Sequence, residues 1–175
     1  MKILINGIDK GEFSLPNFAI HGARCKAFDS DEVVVILRRL KMSVDDVGTR
    51  VSAAFRTIQT RCAVTPTCNR YFASLRRKLT LAQVLEDGPI SIHCLLPIEG
   101  RSTWEQLPSA ITADRDIAIS PVVFGDKPDE LTKTLIHELA HIAGATTNKG
   151  DKNALEAELS LPPCGFPEYD KTAKG

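Results

Sequence analysis

The sequence predicts an α+β fold on three observations: apolar residues at helical spacing in the first half, two β-branched segments in the second half, and an amphipathic helix after them. At 175 residues the chain is long enough to bury one sizeable core and short for two. We therefore expect a single domain, 1–175, with a mainly helical N-terminal part, 1–80, and a sheet with the functional helices in 88–165.

The chain is expected to begin with a short strand and a helix. The segment "MKILINGI" can form the strand. The segment "SDEVVVILRRLKM" predicts a helix with Ser30 and Asp31 as capping candidates, although its valine run leaves a strand possible.

Two further helical regions follow. "SVDDVGTRVSAAFRTIQTRC" predicts a helix because Ser43 precedes two acidic residues and the apolar residues recur at helical intervals. "RYFASLRRKLTLAQVLED" is also helical in pattern, with Thr80 as a candidate restart.

The second half predicts two strands and one strong helix. "PISIHCLLPI" and "RDIAISPVVFG" are apolar, β-branched and bounded by Pro and Gly, which is typical of strands. "KPDELTKTLIHELAHIAG" predicts a helix with acidic residues in its first turn and Gly144 at its end.

The composition argues against a nucleic-acid partner and against a membrane span. Lys and Arg together number 22, as do Asp and Glu, so no net charge attracts a polyanion. No window approaches the roughly 18 consecutive apolar residues that span a bilayer. The N-terminus has no apolar core of about 7 to 15 residues, so we expect no cleavable signal peptide. Export by a route that does not require a cleavable signal peptide stays open.

The five cysteines are an odd number, so at least one is unpaired within the chain. Cys62 and Cys68 flank a Thr-Pro-Thr segment, a spacing that a disulfide can close. Such a bridge indicates an oxidising compartment, whereas the alternative is a set of buried, reduced thiols.

The segment "TLIHELAHIAGA", residues 134–145, carries the pattern His-Glu-x-x-His on the last predicted helix. His137 and His141 are four residues apart, so they project from one helix face and their imidazoles can converge on one zinc ion. Glu138 lies about 100° around the helix, where it can reach a zinc-activated water and act as general base.

The same helix has a separate apolar stripe that explains how it packs. Because this stripe faces the domain, the histidines are not needed as core residues. The stripe consists of Leu131, Leu135, Leu139 and Ile142.

"LIHELAHIAGA" resembles the active-site helix of the zincin metallopeptidases. The motifs "HELAH" and "AGA" within it are similar to those of metallopeptidase domains in bacterial toxins and secreted antibacterial effectors. The resemblance implies a zincin-like fold in which the strand before this helix, "DIAISPVVFG", is the sheet edge along which a peptide substrate lies. It also implies a secreted or delivered effector, acting in the periplasm, with an immunity protein or the secretion machinery as partner.

A catalytic zinc needs a third protein ligand. The metzincin pattern requires a histidine where this chain has Thr147, so it is excluded. Resemblance to the aspzincins favours Asp151, which can also serve as a helix N-cap. The gluzincin arrangement favours a glutamate of "DKNALEAELSL", either Glu158 or Glu156.

We expect Glu158 to be the third ligand. Leu155 one turn before it and Leu161 about one turn after it place Glu158 on a buried face, and a buried carboxylate is costly unless a zinc ion stabilises it. Glu156 has Lys152 one turn behind it and is expected to face solvent.

These residues predict zinc-dependent hydrolysis of peptide bonds in protein or peptidoglycan, with His137, His141 and Glu158 as ligands and Glu138 as base. Tyr169, Tyr71 and His93 are candidates for the oxyanion donor. The alternative function is a non-catalytic zinc-binding or interaction module with a structural site.

Overall fold

A small mixed sheet with helices packed against it makes up the described part of the chain, residues 1–5, 23–125, 127–146 and 154–166 of a computed structural model. This is the α+β fold that the sequence predicts. The strands are β1 (Ile3–Leu4), β2 (Ala23–Lys26), β3 (Ile90–Pro97), β4 (Ala110–Ala113) and β5 (Asp116–Ile119). The helices are α1 (Asp31–Arg39), α2 (Val44–Thr57), α3 (Pro66–Ser74), α4 (Leu81–Glu86), α5 (Pro128–Ile142) and α6 (Ala154–Glu158).

Strand β3 is the centre of the sheet. It pairs with β1 and β5 in parallel and with β2 in antiparallel orientation. Strand β4 pairs with β5 in antiparallel orientation and forms the outer end of the order β1-β3-β5-β4. Because β1 and β2 come from the N-terminal part, the sheet uses strands from both parts of the chain.

The strand that precedes the His-Glu-x-x-His helix is not the sheet edge, and that prediction is wrong. Strand β5 lies between β3 and β4, and the edge strand is β4. The reason is a tight turn in which Asp114 has a φ of 52°, so that the chain folds back and places β4 outside β5. The second half of the predicted strand is instead a 3-10 turn, Pro121–Gly125, which begins at the proline.

The two faces of the sheet bury different sets of side chains. Ile92 of β3 and Ile117 of β5 belong to the main core, together with the apolar faces of the helices. Leu95 and Ala118 belong to a smaller cluster with Cys25 on the other face. The alternation along each strand therefore decides which side chains meet the helices.

The capping signals read from the sequence mark real helix starts. The hydroxyl of Ser43 accepts a hydrogen bond from the backbone N–H of Asp46, whose carboxylate accepts one from the Ser43 N–H. Thr80 and Gln83 form the same reciprocal pair at α4, which confirms the predicted restart. The segment with the valine run is the helix α1, and Ser30 occupies its N-cap position without a side-chain cap hydrogen bond.

Helix α5 begins and ends as predicted. Pro128 is in its first turn with two acidic residues after it, and the four leucine and isoleucine positions of the predicted stripe are all buried. Gly144 has a φ of 100° after the last turn, a backbone conformation that favours glycine. A Cβ there would lie 2.9 Å from Cβ of Arg76, so this close approach also requires glycine.

The predicted bridge between Cys62 and Cys68 is wrong, because Cys68 is bonded to Cys164. The Thr-Pro-Thr segment is not a turn between two cysteines: Pro66 starts α3, and Cys68 faces the segment after α6. The other three cysteines are buried thiols. Cys62 donates to the carbonyl of Cys164 over 3.4 Å, and burial raises the pKa of its thiol.

Candidate metal centre

Helix α5 presents its two histidines at the β4 edge of the sheet. His137 and His141 are one helical turn apart, and their Nε2 atoms face each other at 3.1 Å. The ring centroids are 4.9 Å apart and the planes meet at 68°. The structure therefore brings together the two imidazoles that the spacing places on one helix face.

The partners of the remaining ring nitrogens define which tautomer each imidazole adopts. Nδ1 of His141 lies 3.3 Å from the carbonyl oxygen of Ala145, and Nδ1 of His137 lies 3.0 Å from Oε1 of Glu158. A carbonyl and a carboxylate only accept, so each Nδ1 carries the hydrogen. Each Nε2 then presents a lone pair to the other, and a proton or a metal cation between them removes their repulsion.

The spacing of these two lone pairs fits a zinc ion. A tetrahedral zinc with nitrogen ligands at about 2.0 to 2.1 Å places those nitrogens about 3.3 Å apart. The Nε2 separation of 3.1 Å is close to that value. Among the described residues, His, Cys, Asp and Glu side chains form no group of three or more that could hold a metal ion. Asp151, the aspzincin-like candidate, lies outside the described residues.

Glu158 contacts the side of His137 that faces away from His141. Its carboxylate bonds Nδ1, which is the position of a carboxylate that orients a metal-binding histidine. The predicted role as third ligand requires the carboxylate to reach the Nε2 side of the ring. That role stays a prediction, whereas the contact between Glu158 and the histidine pair is an observation.

The buried face of α6 differs in part from the predicted one. Leu161 is buried as predicted, whereas Leu155 is 42% exposed and Ala157 is buried in its place. Glu156 was expected to face solvent, but its carboxylate accepts a hydrogen bond from the backbone N–H of Thr146 over 3.0 Å. The described part of the helix is five residues long, and its contacts with neighbouring elements decide its orientation more than its own periodicity does.

Glu138 lies beside the histidine pair and is nearly inaccessible to solvent. The residue is 4% exposed, and its Oε1 lies 4.0 Å from Nε2 of His137. Its other oxygen, Oε2, accepts a hydrogen bond of 2.5 Å from the hydroxyl of Thr112 in β4. One carboxylate oxygen is thus near the position between the imidazoles, and the other is bonded to the edge strand.

Thr112 was missed in the sequence because β4 was not predicted. The segment "AITA" has a single strongly β-forming aliphatic residue and no long alternating pattern. The only signal was its place two residues before the Asp114 turn, and that turn is recognisable only in the folded chain.

The electrostatic environment distinguishes the two histidines. Burial opposes protonation of His137, but its hydrogen bond to Glu158 and the charges of Glu138 and Glu158 outweigh burial and raise its pKa. At His141 burial dominates and lowers the pKa, assisted by the nearby His137. The surroundings therefore favour protonation of His137 over protonation of His141.

Of the candidates for the oxyanion donor, the two that the structure describes, Tyr71 and His93, bond partners other than the histidine pair. The Tyr71 hydroxyl donates to the backbone carbonyl of Glu156 and so holds α6. His93 bonds Asp116 over 2.8 Å and alternates along β3 with Ile92, which faces the helices. Tyr169 lies outside the described residues.

Comparison of the chain with protein-family models, with curated proteins and with solved structures gives no significant match. The described helices include none that is both long and apolar enough to cross a lipid bilayer.

Proposed function

We propose that the chain is a zinc-dependent peptidase in which His137 and His141 bind the metal through Nε2 and Glu138 is the general base. Glu158 is the proposed third ligand, and in that role its carboxylate would move from Nδ1 of His137 to the metal. One observation carries the proposal: both Nδ1 atoms lie beside acceptors, and the two Nε2 atoms face each other at 3.1 Å beside the buried carboxylate of Glu138. Two imidazoles and a carboxylate are a common ligand set for catalytic zinc.

The chemistry follows from the positions of these side chains. When bound, zinc lowers the pKa of a water molecule and polarises the substrate carbonyl. Oε1 of Glu138 accepts a proton from the attacking water as the water oxygen bonds to the carbonyl carbon. The protonated Glu138 then donates that proton to the leaving nitrogen as the carbon–nitrogen bond breaks, which returns the carboxylate to its starting state.

We propose a zincin-like, gluzincin-type arrangement for this site. The packing of α5 against the antiparallel edge strand β4 supports this arrangement. Strand β4 takes the place that the sequence analysis assigned to "DIAISPVVFG". A short second helix that contacts the first histidine through Glu158 supports it as well.

The proposed setting is a secreted or delivered bacterial effector that cleaves protein or peptidoglycan peptides, with an immunity protein or secretion machinery as partner. The bridge between Cys68 and Cys164 supports an oxidising compartment such as the periplasm, because disulfides persist there and are rare in a reducing cytosol.

The alternative, a non-catalytic zinc module, is less well supported by the geometry. A purely structural zinc site has no use for a buried carboxylate next to its ligands, since burial of an unneeded charge lowers stability. Glu138 occupies that position and has a hydrogen bond of its own from Thr112.

The experiment that tests the proposal combines metal analysis with one substitution. The purified protein, reconstituted at neutral pH, should hold about one zinc per chain. Glu138→Gln should keep the zinc and lose hydrolysis of mixed peptides or of purified peptidoglycan, because the amide cannot accept the proton. The matched control is Glu130→Gln, the same change at a half-buried position of α5 whose carboxylate pairs with Lys133, which should leave hydrolysis unchanged.

Each result decides a different part of the proposal. Absence of bound zinc overturns the metal site. Loss of zinc from Glu138→Gln identifies Glu138 as a ligand and overturns its role as base. Zinc retained with no hydrolysis by the parent protein favours the non-catalytic module.

A further inference from the structure

We propose that Thr112 is the positioning residue for Glu138, which it holds in the orientation that general-base catalysis requires. The inference rests on the proposed function and extends it to a residue of the edge strand. Thr112 does not contact the imidazoles in the described hydrogen bonds and would act through the Glu138 carboxylate alone.

The register of β4 fixes the side of the sheet on which Thr112 lies. Thr112 pairs with Ile117, and Ala110 pairs with Ile119; Ala110 and both isoleucines belong to the main core under the helices. Ile111 packs instead in the small cluster on the opposite face. Thr112 is thus the polar residue that β4 directs toward α5, and a shift of one residue in register would remove it.

The burial of Glu138 makes this hydrogen bond consequential. A carboxylate that is 4% exposed has little water to solvate it, so protein donors must stabilise it. The Thr112 hydroxyl supplies one donor at 2.5 Å, and the branched Cβ of threonine restricts its own rotation. The position of the Thr112 hydroxyl is therefore restricted both by the pairing of β4 in the sheet and by the limited rotation of the threonine side chain.

The bond also fixes which oxygen is available for catalysis. With Oε2 bonded to Thr112, Oε1 is the oxygen that lies 4.0 Å from Nε2 of His137. Without the hydroxyl, the carboxylate can rotate about its last bond and Oε1 loses its fixed direction. A misplacement of about 1 Å in a catalytic group can lower a rate by about 100-fold.

Steady-state kinetics on Thr112→Val and Thr112→Ser test this role. Valine keeps the shape and suits a strand but removes the donor, whereas serine keeps the donor. We expect Thr112→Val to lower kcat by about 100-fold with little change in KM and with zinc content unchanged, and Thr112→Ser to recover most of kcat. The control is Ile111→Val, a conservative change on the opposite face of β4, which should leave kcat as it is.

A second measurement uses the metal-free protein and does not depend on activity. Glu138→Met removes the acceptor while it keeps an unbranched side chain of similar length. We expect Thr112→Val to lower the urea midpoint in the parent and to change it little in the Glu138→Met background, because bonded residues give non-additive shifts.

The outcomes separate this inference from the proposed function. An unchanged kcat in Thr112→Val, a change confined to KM, a serine variant as slow as the valine variant, or additive midpoint shifts each overturn the role of Thr112. An inactive parent overturns the peptidase function, and the catalytic role of Thr112 with it; the midpoint shifts then report only the hydrogen bond.

Discussion

The carboxylate of Glu158 lies 3.0 Å from Nδ1 of His137, on the opposite side of the imidazole from His141. This contact links the short helix α6 to the histidine pair of α5. It can serve zinc binding in two ways, either by orienting His137 or by bringing a third ligand to the site.

Glu158→Ala distinguishes these two roles by the size of its effect. If Glu158 is a zinc ligand, as we predict, its removal leaves two imidazoles and should weaken zinc binding by well over 100-fold. Loss of an orienting partner typically weakens binding by about 10- to 100-fold. Competition with a chelator of known affinity measures the difference. A loss within the lower range assigns Glu158 to His137 orientation and contradicts the ligand role.

Asp151→Ala is the matched comparison for that experiment. The sequence predicts Asp151 as a helix N-cap, and in that role it should contribute roughly 1 kcal/mol to stability and nothing to zinc binding. Circular dichroism with excess zinc checks that each variant is folded. A folded Asp151→Ala protein that loses zinc while Glu158→Ala retains it would make the site aspzincin-like.

Glu156→Ala tests the contact that the structure adds to α6. Since the Glu156 carboxylate accepts from the N–H of Thr146, its loss leaves that donor without this partner and should lower the free energy of unfolding by about 1 kcal/mol. Zinc affinity should change by less than it does in Glu158→Ala. Urea unfolding measures the first effect and chelator competition the second. No change in stability would contradict the contact.

Tyr71→Phe separates an anchoring role from a catalytic one. The Tyr71 hydroxyl donates to the Glu156 carbonyl, so its removal should lower the free energy of unfolding by about 1 kcal/mol and leave kcat nearly unchanged. The loss of an oxyanion donor would instead lower kcat by about 100-fold or more. Urea unfolding and steady-state kinetics on the same preparation decide between the two.

The sequence predicted those features that depend on residues close together in the chain. The capping pairs at Ser43 and Thr80 act over three residues, and the meeting of His137 with His141 needs only one helical turn. Such features follow from helix geometry whatever surrounds them. The helical layer and the histidine pair were therefore accessible from the sequence.

The features that the sequence did not reveal depend on contacts between distant segments. Cys68 and Cys164 are 96 residues apart, and Thr112 meets Glu138 only because β4 folds back beside β5. The predicted burial of Leu155 in α6 is wrong for the same reason, since neighbouring elements determine which face of the helix is covered.

Acid should weaken the attachment of α1 to β2 through Glu32. The hydrogen bond from Arg24 lowers the pKa of Glu32 from 4.5 to about 2, against a smaller opposing effect of burial and with help from Lys26. Because the pKa of Glu32 is lowered in the folded state, its ionised carboxylate stabilises the fold at pH values above the ordinary pKa of 4.5. That contribution is lost as the pH falls from 4.5 toward about 2.

Glu32→Gln measures this contribution. Because the side chain is 40% exposed, water screens the ion pairs and the difference from the parent at pH 7 should be below about 1 kcal/mol. Urea unfolding at pH 7 and at pH values between 4.5 and 3 should show the difference shrinking as the pH falls. A difference that stays constant over that range would contradict the proposed origin of the shift.

The bridge between Cys68 and Cys164 should stabilise both the fold and the zinc site. It closes a loop with a sequence separation of 96, and the chain-entropy estimate for loops near that length is about 4 to 5 kcal/mol. The bridge also joins α3 to the segment that directly follows α6, which carries Glu158. Opening it should therefore loosen the contact of Glu158 with His137.

We expect the Cys68→Ala, Cys164→Ala double variant to lose up to about 4 to 5 kcal/mol of its free energy of unfolding. Its affinity for zinc should also be weaker. The control is Cys62→Ala, which removes a buried sulfur next to Cys164 but no bridge, and should lose about 1 kcal/mol with zinc affinity kept. Mass mapping of a non-reduced digest identifies the bonded pair directly. A bond from Cys68 to Cys62 in that digest, or a double variant as stable as the control, would contradict the assignment of this bridge.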